Sequence, residues 1–163
     1  MTGTILIATD FSLESLDILK KVLKKKNDSG DESKYNILLV SGYEMNDSIR
    51  DLLFSTKNTI FNKIRSEEFC DAYNIIKNKY PHLVNKIICD IFSGSFQRTF
   101  NNFIDAKKVD EAYYAAAKSK NLHKNQFEIT SFLKKCKYVD AQEVVTEMPE
   151  FVPEKGRLAE VFL

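Results

Sequence analysis

Cysteine is scarce in this sequence, and its few occurrences form no pattern that builds a site. Cys70, Cys89 and Cys136 are an odd, scattered set without a Cys-x-x-Cys pair. This spacing argues against a disulfide framework and against a zinc knuckle. Because Cys89 stands inside an apolar segment, we expect it to be a small buried residue.

Long apolar runs are also missing. No run approaches the roughly 20 residues that a membrane-spanning helix requires, and the N-terminal residues carry no basic segment typical of a secretory signal. Neither sign of charge predominates, because the formal net charge of the 163 residues is +1. We therefore expect a cytoplasmic protein that binds neither membranes nor nucleic acids.

Short apolar segments alternate with stretches of helical periodicity, a pattern typical of a parallel sheet covered by helices. Continuous apolar runs predict buried strands, and further strands follow from mixed segments; the five lie at residues 5–8, 37–40, 86–92, 111–116 and 143–148. The sequence therefore predicts an α/β three-layer sandwich with a five-stranded parallel sheet.

One helical stretch is unusually long and is predicted from Asp47 or Ser48 to about Tyr80. A gap in its apolar pattern at residues 55–59 and an irregular phase around Ser66 indicate a kink or two separate helices. Pro81 ends the stretch, because the residue before a proline avoids helical backbone angles.

Two other helix starts follow from local capping chemistry. Ser12 is a favourable N-cap residue, and Phe11 is placed to pack on Leu16 as a hydrophobic staple. Asn125 and Glu128 fit a variant of the capping box, in which each side chain accepts a hydrogen bond from the backbone N–H of the other residue.

Arrangements of side chains that are typical of catalysis do not occur in the sequence. It contains no metal-ligand cluster, no Ser-His-Asp order and no lysine-bearing phosphate loop. Asp90, on the third predicted strand, resembles the phosphoacceptor of a receiver domain, but the acidic pair that receivers use is missing after the first strand. His82, beside Pro81, is interpreted as a turn residue. We therefore expect no catalytic residue, no metal and no enzymatic activity.

Residues 5–12 (ILIATDFS), followed by a helix that opens at residues 13–16, resemble the N-terminal signature of the universal stress protein family. Residues 37–43 (ILLVSGY) are similar to the second strand of that family. The resemblance implies an adenine nucleotide α-hydrolase-like, Rossmann-like sheet of strand order 3-2-1-4-5. Ligands in such a fold bind beyond the carboxyl ends of strands one and four, where the strand order reverses.

Asp10 matches the family aspartate that reaches the adenosine of a bound nucleotide. The family's glycine-rich phosphate loop after the fourth strand has no counterpart, since no glycine occurs between Gly94 and Gly156. Such glycines let backbone N–H groups approach phosphate oxygens closely. We therefore expect no cofactor, with ATP or AMP as an open alternative. The candidate ligand-binding residues are Thr9, Asp10, Val40, Lys118, Ser119 and His123.

Asp10 has a second interpretation, in which its carboxylate only stabilises the start of the following helix. We accordingly expect a non-catalytic, universal-stress-protein-like domain over residues 1–148 that acts in a stress response as a homodimer or with an unidentified protein partner. The edge of the fifth strand and a tail of residues 149–163 are its predicted contacts. The alternative is a module that binds an adenine nucleotide or another small ligand at Asp10.

Overall fold

The computed structural model describes residues 2–44 and 57–146. Within these residues, six strands form one sheet: β1 Thr2–Ala8, β2 Lys34–Tyr43, β3 Val84–Phe92, β4 Glu111–Ala115, β5 Gln126–Phe127 and β6 Ala141–Val144. The helices are α1 Leu16–Asp28, α2 Lys57–Ile64, α3 Glu67–Lys79, α4 Gln97–Ala106 and α5 Thr130–Lys134. The predicted tail and the predicted start of the long helix at Asp47 or Ser48 lie outside the described residues.

The sheet has the strand order β3-β2-β1-β4-β6, and all neighbours along this path are parallel. The predicted α/β fold with order 3-2-1-4-5 is therefore confirmed, with β6 as its fifth strand. β6 lies at residues 141–144 rather than 143–148, because its pairing with β4 begins at Ala141. β1 is central and carries the most strongly buried run, with Ile5, Leu6 and Ile7 all 0% exposed.

Alternate residues of β1 divide the core into two layers, as the two faces of a pleated strand require. Ile5 and Ile7 pack with the apolar residues of α1, α2 and α3, among them Phe69. Leu6 packs with those of α4 and α5, among them Phe100. Each face of the sheet is thus covered by helices, which gives the predicted three layers.

The break predicted near Ser66 is confirmed, since α2 ends at Ile64 and α3 begins at Glu67. The Ser66 hydroxyl accepts a hydrogen bond of 3.1 Å from the backbone N–H of Phe69 and so caps α3. Tyr80 closes α3 directly before Pro81, as predicted. Among the described residues, no helix is both long and apolar enough to cross a membrane.

β5 is a two-residue strand that the sequence does not predict. It pairs antiparallel with the end of β2, through Gly42 with Phe127 and Tyr43 with Gln126. β3 already pairs with the other side of β2 as far as Gly42. β5 must therefore lie on the β1 side of β2, directly beyond the point where β1 ends.

The predicted capping box at Asn125 and Glu128 is wrong. Asn125 has a positive φ of 71° and leads into β5, and α5 begins only at Thr130. The Glu128 carboxylate accepts a hydrogen bond from the backbone N–H of Ser119 instead. The Glu128 side chain, which local spacing assigned to a helix start, therefore bonds to a loop residue nine positions earlier.

Candidate functional site

The candidate site is the crevice beyond the carboxyl ends of β1 and β4, where the strand order reverses. Thr9 and Asp10 follow β1 directly and reach into this crevice. The backbone N–H of Thr9 donates to the Val40 carbonyl at 2.9 Å, which continues the pairing of β1 with β2 by one residue. The Val40 side chain is fully buried, so its backbone is the part that adjoins the crevice.

Asp10 is buried, and three hydrogen bonds occupy its carboxylate. Oδ1 accepts from the backbone N–H of Ser12 at 2.9 Å and from the Ser12 hydroxyl, and Oδ2 accepts from the Ser119 hydroxyl. These donors come from both sides of the crevice, because Ser12 follows β1 and Ser119 follows β4. The carboxylate therefore links two loops across the switch point.

Ser12 is not the N-cap of α1, contrary to the prediction. α1 begins at Leu16, and its N-cap residue Ser15 makes no side-chain capping bond. The Ser12 hydroxyl is directed to Asp10 instead. A hydrogen bond to a carboxylate is stronger than one between neutral groups, so Asp10 orients the Ser12 hydroxyl towards itself.

Phe11 belongs to the same core cluster as Leu16, and its ring also packs on α2 and α3. Its backbone has a positive φ of 61°, and its ring lies edge-on to Phe61 and Phe69 at centroid distances of 5.7 and 5.6 Å. The turn is held by Thr9, whose Oγ1 accepts from the Phe11 N–H at 2.9 Å and lies 2.5 Å from the Ser15 hydroxyl oxygen. Core packing on α2 and α3 thus fixes the loop that presents Asp10.

Gln126, on β5, holds the other side of the crevice and was not among the predicted residues. Its Nε2 donates to the Asp10 carbonyl and to the Ser41 hydroxyl, both at 2.9 Å. Its Oε1 accepts from the backbone N–H of His123 at 2.9 Å. Gln126 and Ser41 are buried, so the amide satisfies polar groups of three segments that meet beyond β1.

Phe127 fills the space above the end of β2. A Cβ atom placed on Gly42 would lie 2.3 Å from the Phe127 ring, far inside van der Waals contact. The ring also faces Phe92 and Phe132, at centroid distances of 6.5 and 6.4 Å. The sequence contains a hint of this contact. Gly42 is a glycine inside a strand, and such a glycine often marks a place where another group approaches the backbone closely.

The structure brings only part of the predicted set together. Asp10 and Ser119 are in direct contact, and Thr9 and Val40 adjoin them. Lys118 and His123 are exposed, and His123 contributes its backbone rather than its ring. The loop that replaces the glycine-rich loop therefore faces the crevice through one hydroxyl, while its cations face outwards.

Asp90 and His82 lie outside this site. Asp90 is buried on β3, where its Oδ2 pairs with Lys107 Nζ at 2.9 Å and its Oδ1 accepts from the Ile91 N–H at 2.8 Å. His82 lies in the turn before β3, as predicted, with Nε2 2.8 Å from Asn27 Oδ1. Both contacts explain these residues as parts of the scaffold.

Cys89 is half-buried rather than buried, because β3 is an outer strand of the sheet. Burial raises the pKa of its thiol, and the nearby Arg65 guanidinium opposes that shift without reversing it. The thiolate, which is the reactive form, is therefore disfavoured at neutral pH. Residues 2–44 and 57–146 contain no group of three acidic, histidine or cysteine side chains placed to hold a metal ion.

In this conformation, protein groups engage the polar atoms of the described site. Asp10 has no oxygen without a hydrogen-bond donor, and β5 occupies the space beyond β1. A phosphate would need convergent donors and room for a close approach, whereas Ser119 and Gln126 direct their donors to other protein atoms.

The fold was compared with solved structures. A protein from the universal stress protein family of Burkholderia pseudomallei shares 8% identity, with 87% of this chain and 95% of that chain covered and a TM-score of 0.52. A universal stress protein family protein from Arabidopsis thaliana, with AMP bound, shares 11% identity, with 89% and 92% covered and a TM-score of 0.52. The universal stress protein UspA from Lactobacillus plantarum shares 12% identity, with 89% and 97% covered and a TM-score of 0.51.

Comparisons of sequence alone give no corresponding match. No protein-family model matches the chain, and no curated protein is similar enough in sequence to count as a relative. The likeness therefore resides in the order and direction of the sheet and its helices. The predicted resemblance is confirmed at that level, and the chain is built on the universal stress protein fold.

Proposed function

We propose that this chain is a non-catalytic, universal-stress-protein-like module that acts through dimerisation or a protein partner in a cytoplasmic stress response. The observation that carries the proposal is the crevice beyond β1, which the chain fills with its own residues. Ser119 occupies the Asp10 carboxylate, and Gln126 and Phe127 occupy the space above Asp10 and Gly42. Because protein atoms already fill this site and bond to its polar groups, contacts with other proteins are the better-supported role.

The outer edge of β6 supports a homodimer formed by strand pairing. In the described parts of the chain, β6 pairs only with β4. The Ala116 N–H donates to the Val144 carbonyl at 2.9 Å, so Val144 faces β4 and its neighbour Glu143 faces the outer edge. An edge of this kind invites a second strand, and Val145 beside it is 71% exposed.

Nucleotide binding is tested by thermal shift and by mass spectrometry of co-purified ligand, with ATP, AMP and cyclic nucleotides. We expect no shift for the unmodified chain and none for Asp10→Ala. A shift in the unmodified chain that is absent in Asp10→Ala would overturn the proposal in favour of a nucleotide-binding module.

Dimerisation is tested by light scattering on the unmodified chain, Glu143→Pro and a chain without residues 150–163. Proline at residue 143 removes an outward N–H and spares the bonds from Val144 to β4. We expect a dimer that Glu143→Pro converts to a monomer, with Glu143→Ala as the control that stays dimeric. A monomer at every concentration would exclude the dimer, and a dimer unaffected by both changes would exclude this edge and the tail.

An adenine nucleotide or related small ligand remains the second candidate. Asp10 lies at the switch point of the sheet, and the Arabidopsis protein of the same fold is described with AMP bound. Binding of this kind requires residues 119–127 to leave the crevice. The double variant Ser119→Ala, Phe127→Ala removes two of the contacts that hold them, so nucleotide binding that appears only in this variant would favour the second candidate.

A further inference from the structure

The segment that crosses the crevice has an unusual charge. We call residues 116–125, which join β4 to β5, the basic loop. It contains Lys118, Lys120, His123 and Lys124, and no acidic residue occurs anywhere between Glu111 and Glu128. Every residue of the loop is exposed except Ser119, which is half-buried against Asp10. A chain with a net charge of +1 therefore presents a local concentration of positive charge at one end of its sheet.

The three lysines of the basic loop are not neutralised by the described part of the molecule. None of them forms an ion pair there, whereas Lys26 and Lys107 each pair with a carboxylate. The two carboxylates that contact the loop, those of Asp10 and Glu128, are engaged by Ser119. Their oxygens accept hydrogen bonds from the hydroxyl and the backbone N–H of Ser119. The lysine side chains extend into solvent.

The backbone of the basic loop is held in place although it forms neither helix nor strand. Ser119 is bonded to Asp10 and Glu128, and the Asn125 carbonyl accepts from the Glu44 N–H at 2.6 Å. Gln126 closes the last turn by bonding to both backbone groups of His123. A fixed backbone lowers the entropy lost when a partner binds, which distinguishes this loop from an ordinary charged surface turn.

We propose that the basic loop is the docking surface for an acidic segment of a partner protein. This inference rests on the proposed function and names the chemistry of its partner. Leu122, which is 40% exposed among the lysines, offers an apolar contact to that segment. The loop contains no arginine, the residue that suits bidentate phosphate contacts. Its three lysines are also fewer than the roughly 6–10 phosphate contacts of a strongly salt-dependent nucleic-acid binder.

The probe is a fluorescein-labelled peptide of alternating glutamate and leucine, titrated with the full-length chain and followed by fluorescence anisotropy. The test variant is K118Q/K120Q/K124Q. The control, K24Q/K25Q/K135Q, removes three other exposed lysines and makes the same change in net charge. Because all six side chains are exposed, we expect both variants to melt within a few degrees of the unmodified chain.

We expect the unmodified chain and the control to bind the peptide, and the test variant to lose at least about tenfold in affinity. Binding should weaken as salt rises from 0.01 M to 0.1 M, since the Debye length falls from roughly 30 Å to roughly 10 Å. Equal losses in both variants, or no binding by the unmodified chain, would overturn the inference. So would tighter binding of a single-stranded oligonucleotide than of the peptide. None of these results alters the light-scattering or nucleotide measurements, so failure here is distinguishable from failure of the proposed function.

Discussion

At the scale of single residues, the closure of the crevice depends on the absence of a side chain at Gly42. The Phe127 ring occupies the position that a Cβ would take. We expect Gly42→Ala to displace this ring and to lower the free energy of unfolding by about 1–3 kcal/mol, the range for overpacked sites. Urea unfolding followed by circular dichroism measures the change.

The double-mutant cycle with Phe127→Ala supplies the control. Without the ring, the methyl group at residue 42 has space, so the double variant should lose less than the sum of the two single losses. Additive losses would mean that the Gly42 effect arises from the backbone and not from the contact with Phe127.

Ser119 is the residue through which the basic loop engages Asp10. Ser119→Ala leaves Asp10 Oδ2 without this donor in a buried position, and such a loss costs about 1–3 kcal/mol of unfolding free energy. We also expect faster hydrogen exchange of the loop's amides. Ser95→Ala, at an exposed serine, is the matched control and should leave both measurements unchanged.

At the scale of elements, the start of α3 could be predicted from the sequence and the start of α1 could not. Ser66 caps α3 because its donor, the Phe69 N–H, is three residues away. Ser12 has an equally suitable sequence position, but its hydroxyl donates to Asp10, whose other carboxylate oxygen accepts from Ser119, 109 positions away. Local spacing predicts an element when its partners are local, and it fails where residues distant in sequence decide the outcome.

The cap of α3 gives a prediction at this scale. Ser66→Ala removes the acceptor for the Phe69 N–H and should lower the free energy of unfolding by about 1 kcal/mol. The control is Ser131→Ala in α5, an exposed serine. An effect of Ser66→Ala no larger than that of Ser131→Ala would show that the first turn of α3 is held by its packing alone.

The strands show the same division. The continuous apolar runs predicted β1 and β2 well, since strands that are buried on both faces of a parallel sheet consist mostly of apolar residues. The mixed segments predicted β3 and β4. β5 has only two residues and no apolar pattern of its own. It is specified by the gap at Gly42 and by the buried polar groups that Gln126 satisfies, features that exist only once the sheet has formed.

At the scale of the whole molecule, folding favours the protonated form of several side chains by raising their pKa. Burial raises the pKa of the Cys89 thiol and of four phenols, those of Tyr35, Tyr73, Tyr80 and Tyr113. Burial tends to lower the pKa of Lys26, but hydrogen bonds to Glu111 and Tyr35 outweigh this and raise it. Burial lowers the pKa of Lys20, which acts in the opposite direction.

A raised pKa in the folded state means that the stabilising contribution is complete below the unfolded pKa and is lost as pH rises towards the folded value. The unfolded values are about 8.5 for cysteine, 10 for tyrosine and 10.4 for lysine. We therefore expect the free energy of unfolding to fall as pH rises above about 9, with Lys20 offsetting only part of the fall. Urea titrations across the alkaline range measure it.

Tyr113→Phe tests the origin of this alkaline loss. The change removes one of the phenols whose pKa is raised, together with its bond of 2.7 Å to Glu111, so the fall in stability with pH should become shallower. Tyr138→Phe, at a half-exposed ring, should keep the original slope. A stability that stays level through the alkaline range would contradict the assignment to these groups.

The bonds that close the crevice join residues far apart along the chain: Asp10 and Ser119 are separated by 109 positions, and Ser41 and Gln126 by 85. We expect these contacts to form late in folding, because they join loops whose positions depend on a sheet that is already assembled. Interactions absent from the folding transition state slow unfolding and leave the folding rate almost unchanged. We therefore expect the residues that close the crevice to govern how long each folded molecule persists more than how quickly it folds.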